Sequence, residues 1–177
     1  MNIEVCLEGS PRWEEFVTCL NDVAPEQAPF VLGDYARHLP CRLLIAIEGD
    51  RVVGFLRMGI QPIGAEEGQP HLGLAEAKIH AFGVRPESRR QGVGTALQVA
   101  AMELAASLNC HQLASHSSYD RYENLGLKLA LGFCAAPDSN GSGIRLFMPL
   151  KRPNADGLRG WQRTLAKSEK DGQGICS

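Results

Sequence analysis

Val84-Arg85-Pro86-Glu87-Ser88-Arg89-Arg90-Gln91-Gly92-Val93-Gly94-Thr95-Ala96-Leu97 is the stretch that decides how the chain is read. A β-type run, Leu74 to Val84, ends at its first residue, and Pro86 begins a turn. From Val93 the period changes: Leu97, Ala101, Leu104 and Leu108 recur at the spacing of a helix face. A glycine-containing loop therefore leads straight into a helix. Gly92 and Gly94 lack the Cβ atoms that would hold a ligand off the main chain. The amides of Gln91 to Thr95 have no acceptor within the helix, and they lie at the positive end of its dipole. Arg89 and Arg90 add formal positive charge. The segment is an anion cradle. It is not a dinucleotide fingerprint, because Gly92-Val93-Gly94-Thr95-Ala96-Leu97 lacks the third glycine and sits in mid-chain. Nor is it a nucleotide-triphosphate loop, which needs Gly-Lys-Ser/Thr.

Outward from this segment, the pattern predicts a mixed α/β sheet with helices on both faces. Ile3 to Leu7 reads as a first strand. Ser10-Pro11 opens a helix, with Ser10 as cap and Phe16, Val17 and Leu20 as its apolar stripe. A second helical piece runs over Phe30 to His38 and is stopped by Pro40. Arg42 to Glu48 and Arg51 to Ile60 flank the hairpin signal Gly49-Asp50. Gln61 to Gly73 is expected as a loop, then come the strand Leu74 to Val84 and the long helix. Gln112 to Ser117 returns to strand, Arg121 to Leu131 is helical, Gly132-Phe133 ends it, and Ile144 to Leu150 is a last strand.

The chain has 177 residues with 18 Lys and Arg against 20 Asp and Glu, so nothing global draws it to nucleic acid or to a membrane. The imbalance is local: residues 1–150 carry a net −5 and residues 151–177 a net +3, which sets off a polar, basic tail from the domain. The six cysteines are scattered without metal spacing, and His111 and His116 find no partners at ligand spacing, so no metal is expected. The amino terminus lacks a basic, apolar leader, and Leu43 to Ile47, the longest apolar run, is too short to span a bilayer. The expectation is a soluble cytoplasmic protein with reduced thiols.

The segment Arg89-Arg90-Gln91-Gly92-Val93-Gly94 resembles the Arg/Gln-x-x-Gly-x-Gly/Ala signature of the GCN5-related N-acetyltransferase (GNAT) family. So does Gly132-Phe133, closing a late helix ahead of a strand. Element order agrees over residues 1–150. The resemblance implies acetyl-CoA or another acyl-CoA as donor and a mostly antiparallel central sheet. It implies a pyrophosphate held by the amides of Arg89, Arg90, Gln91, Gly92, Val93, Gly94 and Thr95. It also implies a splayed strand whose main chain at Phe82 and Val84 pairs with the pantetheine arm.

Direct transfer to an amine in a ternary complex needs a base and a proton for the thiolate. Glu76 is the first candidate base and His80 the alternative. With Lys78 they share one strand face, which would otherwise be a solvated polar surface opposite Ile79. The family's tyrosine, four residues before the Gly of Gly-Phe, is replaced here by Lys128, which leaves Tyr122 and Tyr119 as candidate acids. The acceptor is expected to be a small-molecule or peptide amine; Asp34, Glu66, Glu67 and the domain's negative balance favour a cationic one. A homodimer is a candidate assembly. The rival reading is a module that binds acyl-CoA without turnover.

Overall fold

Leu43 to Ile47 is apolar at every position because both faces of its strand are covered. Leu43, Ile45 and Ile47 join one buried cluster with Phe16, Cys19 and Leu20, whereas Leu44 and Ala46 join a second with Val93, Leu97 and Ala101. A continuous rather than alternating run is what a doubly covered strand requires. The computed structural model describes residues 1–33, 40–65, 68–138 and 141–150. Its elements are β1 (Asn2–Cys6), α1 (Trp13–Val23), α2 (Ala28–Leu32), β2 (Cys41–Glu48), β3 (Arg51–Ile63), β4 (His71–Val84), α3 (Val93–Ser107), β5 (Gln112–Ser117), α4 (Tyr122–Ala130), β6 (Cys134–Pro137) and β7 (Ile144–Pro149). Single 3-10 turns occupy Pro25–Gln27 and Pro86–Ser88.

The seven strands form one sheet in the order β1-β2-β3-β4-β5-β7-β6. Every neighbouring pair is antiparallel except β4 and β5, which α3 connects as a parallel crossover. The expected mixed sheet with helices on both faces is what forms. The basic tail, Asp34, Glu66, Glu67, Cys176 and the far half of the second helical piece lie outside the described residues.

Three local expectations are corrected. The segment 61–73 is not all loop: β3 runs on to Ile63 and β4 begins at His71, so the hairpin is longer than its Pro and Gly content suggests. Pro62 is tolerated because the register shifts there, between Pro62 and Ile63. Ser10 does not cap α1 through its side chain. Its carbonyl accepts the Trp13 amide at 2.9 Å, and its hydroxyl lies 3.4 Å from the Cys6 sulfur. Finally, the buried stripe of α3 is Val93, Leu97, Ala101 and Ala105, with Leu104 and Leu108 at its margin. Of the thiols, Cys6, Cys19 and Cys110 are buried and Cys134 is exposed; none of the five described cysteines is in a disulfide.

Two glycines let helices reach the sheet at one place. A Cβ on Gly54 would meet the Gly83 carbonyl oxygen at 3.0 Å and the Leu97 and Val93 side chains at 3.2 Å, so α3 lies directly on β3 there. A Cβ on Gly83 would meet Phe55 and Val23 at 2.8 Å on the opposite face. Gly54→Leu is expected to overpack this contact and lower stability by about 1–3 kcal/mol, read as a drop in the urea midpoint at unchanged slope.

Candidate active site

The parallel seam between β4 and β5 is short. Glu76 pairs with Gln112, Ala77 with Leu113 and Lys78 with Ala114, and there the pairing stops. Beyond that point β4 continues to Val84 on β3 alone, and β5 continues to Ser117 on β7 alone. A register shift sits at the parting point: Arg57 pairs with Ala81 and Met58 with Ile79, leaving His80 as the extra residue. Such a bulge bends its strand and sharpens its twist. The two strands therefore open a cleft whose near lip is the edge of β4.

The anion cradle lies at the end of that lip. Past the 3-10 turn, Arg90 (φ 61°) and Gly92 (φ 86°) both take left-handed backbone, which turns successive amides toward one side. Gly92 caps α3 through its carbonyl, which accepts the Ala96 amide at 2.9 Å. The amides of Arg90 to Thr95 have no acceptor among the described residues. A Cβ built on Gly92 meets nothing within 4 Å, so the cradle is open outward. Gly94 has a different part from the expected one: its missing Cβ admits Leu127 of α4 and the Phe82 ring, 3.2 and 3.3 Å from where that atom would stand.

The base of the cradle is tied down firmly. Buried Arg85 donates from Nε to the Val52 carbonyl at 3.0 Å and from Nη1 to Asp22 at 2.6 Å, and its amide bonds the Val53 carbonyl. Arg89 folds back so that its Nε donates to the Val84 carbonyl, and the Gln91 amide group donates to the Glu87 carbonyl. Arg90 meets Glu123 of α4 at 3.2 Å.

Sequence reasoning missed the strap over the cleft. The Phe82 amide, on the unpaired edge of β4, donates to the Gln27 side-chain oxygen at 3.1 Å. Next to it, Glu26 pairs with Arg121, just ahead of α4, at 3.1 Å. The Glu26 carboxyl is held below its ordinary value, first by its own backbone amide and then by Arg121. The 3-10 turn Pro25–Gln27 thus bridges both lips. No local pattern marks it, since the contacts join residues 55 and 95 positions apart.

The candidate base residues are brought together on the α1 face of β4, but they differ. Glu76 is 6% exposed, and its two oxygens accept from Gln61 at 2.9 Å and Gln112 at 2.7 Å, inside the zipped part of the seam. Lys78 is buried too, so the face is not a solvated one. His80 is half-buried at the bulge, where the strands part. Tyr122 and Tyr119 are largely exposed. His116 pairs with Asp138 at 3.2 Å at the far end of β5. Among the described residues no cluster of His, Cys, Asp or Glu suits a metal, and no helix is long and apolar enough to cross a membrane.

The other missed feature is a polar seam between α4 and β5. Lys128 Nζ donates to Ser115 Oγ at 2.6 Å, and one turn earlier Asn124 donates to Ser117 Oγ at 3.2 Å. Lys128 is 1% exposed. Burial, and after it the charge of Lys78, bring its ammonium down to about 7. The available signal was spacing: Lys128 stands three residues after Leu125 and three before Leu131, on the helix's inward stripe.

A cation whose folded value is depressed costs stability while it is charged, and the cost is relieved as pH rises from the folded toward the unfolded value. Lys128→Met is therefore expected to melt higher than the natural protein near pH 7 and below. The gap in Tm should shrink steadily toward pH 10; a gap independent of pH would contradict the burial of a titrating amine.

Residues 11–133 match the family model described as Acetyltransferase (GNAT) family. Over 109 residues the chain is 34% identical to the aminoglycoside N(6')-acetyltransferase type 1 of Klebsiella aerogenes, a match covering 61% of this chain and 68% of that protein. Among solved structures, the GNAT domain of S. lividans PAT superposes with a TM-score of 0.66 at 16% identity, covering 83% of this chain and 89% of that one. An aminoglycoside 6'-N-acetyltransferase complexed with coenzyme A superposes at 0.59 and 18% identity, covering 87% and 100%.

Proposed function

The chain belongs to the GNAT acetyltransferase family, whose reaction carries an acetyl group from acetyl-CoA to an amine, and on that premise we propose that its acceptor is an amine of a polycationic small molecule of the aminoglycoside class. The observation that carries the donor side is the cradle. Six consecutive amides, Arg90 to Thr95, lie without acceptors among the described residues at a helix N-terminus, at the end of an unpaired strand edge. A pyrophosphate would take those hydrogens, and the edge amides at Phe82 and Val84 would take the extended arm. Acetyl-CoA supplies the activated thioester; the chain supplies position, charge and proton handling. Support for the acceptor comes from the 34% identity to an aminoglycoside N-acetyltransferase and from the net −5 over residues 1–150, which attracts a polycation. Five cysteines outside any disulfide among the described residues suit a reducing, cytoplasmic setting.

Of the two base candidates, we assign His80 the proton from the attacking amine. It lies half-buried at the parting point, while Glu76 spends both oxygens on Gln61 and Gln112 and holds the zipped end in register. Transfer then proceeds directly between the two bound substrates.

Three measurements test this reading. Acetyl-CoA with kanamycin should release free CoA thiol; thermal stabilisation by CoA with no thiol release over a broad amine panel would instead favour a binding module. Gly92→Glu is expected to weaken CoA binding at least about tenfold, since bulk and charge enter the cradle. An unchanged CoA affinity in the folded variant would remove the cradle. His80→Gln should lower kcat by about a hundredfold and abolish the rise of rate with pH on the acid side, while Glu76→Gln retains that limb.

A further inference from the structure

The seam between α4 and β5 is built at a cost that packing does not explain. Where the inward stripe of a nine-residue helix would ordinarily be apolar, its one fully buried side chain is Lys128. Its hydrogen-bond partner is a neutral hydroxyl, Ser115 Oγ, and among the described residues no carboxylate offsets the charge. The neighbouring polar atoms are strained for partners as well. Asn124 Oδ1 is buried without a hydrogen bond, and both amide atoms of Gln98 are buried without one. Gln98 lies one turn beyond Gly94, on the same side of α3. Buried polar groups left short of partners are rare and are found where a protein does chemistry.

The location is specific. Ser115 is the first residue of β5 past the last pair with β4, so Lys128 stands at the fork of the cleft. The adjoining Leu127 and the Phe82 ring of the open edge both lie against Gly94 in the cradle. The anion cradle and the open strand edge thus adjoin, with the amine buried behind them at the fork between the strands.

We propose that Lys128 is the proton donor to the departing CoA thiolate, with Ser115 positioning its ammonium. This rests on the acetyl-transfer reading above. The C–S bond breaks with its electron pair on sulfur; an Nζ–H bond breaks and an S–H bond forms, leaving the lysine neutral. The proton shed by the acceptor nitrogen, collected at His80 and exchanged with solvent, restores the ammonium, so no net proton is consumed at Nζ. The groups bearing on the ammonium are Lys78 from β4, which makes it a readier donor, and the neutral Ser115 from β5. A depressed value near 7 lets the amine give its proton to a thiolate of ordinary basicity and regain it at neutral pH.

The test uses the full chain and Lys128→Met, which removes a buried charge and so is expected to fold. Thiol release from acetyl-CoA is followed with kanamycin and, independently of any acceptor pocket, with hydroxylamine. Expected is a loss of about a hundredfold in kcat with both nucleophiles, KM for kanamycin and affinity for CoA within about twofold, and disappearance of the fall in rate on the alkaline side. In protein labelled with 13C at lysine Cε, the Lys128 signal should titrate near neutrality, and its titration should move on adding CoA but not desulfo-CoA. A kcat within about threefold of the natural protein's, or identical responses to the two cofactors, overturns the proposal. If the natural protein is stabilised by CoA yet releases no thiol with either nucleophile, the transfer reading itself fails, and Lys128 loses its role with it.

Discussion

Everything in this molecule that bears on chemistry follows from the failure of two parallel strands to stay paired. Every backbone N–H and C=O needs a partner, and a strand in mid-sheet normally finds it on both sides. Here β4 and β5 pair over three residues only, and the bulge at His80 carries the rest of β4 away. What remains is an internal edge: main-chain donors and acceptors inside a protein, with no strand to meet them. An exposed edge is an invitation to pair with something extended. The Phe82 amide shows the obligation directly, since it is satisfied by a side chain from 55 residues earlier.

The cradle and the edge form one continuous surface because the sheet and α3 are locked together just beneath them. Gly54 and Gly83 stand in successive cross-strand pairs, and each gives up its side chain so that a helix can settle on its own face of the sheet. Arg85 then ties the loop's first turn to β3 by two carbonyls and to α1 by Asp22. With those anchors the left-handed backbone at Arg90 and Gly92 is held by its surroundings, as strained conformations must be. The result is a set of amides fixed before any anion arrives, which spares the entropy of ordering a loop on binding.

Much of this was legible in the chain before any coordinates. The change of period at Val93, the glycines of the loop and the doubly apolar β2 gave the sheet, the crossover helix and the cradle. What local patterns misjudged were boundaries set by long-range pairing. Pro62 and the glycines around it read as a break, yet β3 and β4 zip past them once the register shifts. The site's inner chemistry was only partly visible. Glu76, Lys78 and His80 share a face as their spacing requires, but the Gln61 and Gln112 clamp on Glu76 arises from neighbours in space. Lys128 stands out in the sequence where the family carries tyrosine, but its burial against Ser115 depends on which side α4 turns to the sheet. The strap Pro25–Gln27 carried no signal, because nothing in a turn's composition says what lies across a cleft from it.

The strengths of these ties sort the site into a stiff half and a compliant half. Under the cradle, the Arg85 guanidinium is 7% exposed: its bond to the Val52 carbonyl is shielded from solvent, and its charge-assisted bond to half-exposed Asp22 is shielded on the arginine side. Over the cleft, Glu26 and Arg121 are each about half exposed, and an ion pair of that kind contributes little once water screens it. Gln27 adds one neutral hydrogen bond, of modest net worth. An extended ligand offering its own carbonyl to the Phe82 amide exchanges one such bond for another at almost no net cost. Rigidity therefore sits where a fixed anion is to be held, and weakness sits where the edge must be uncovered before two substrates can meet across it.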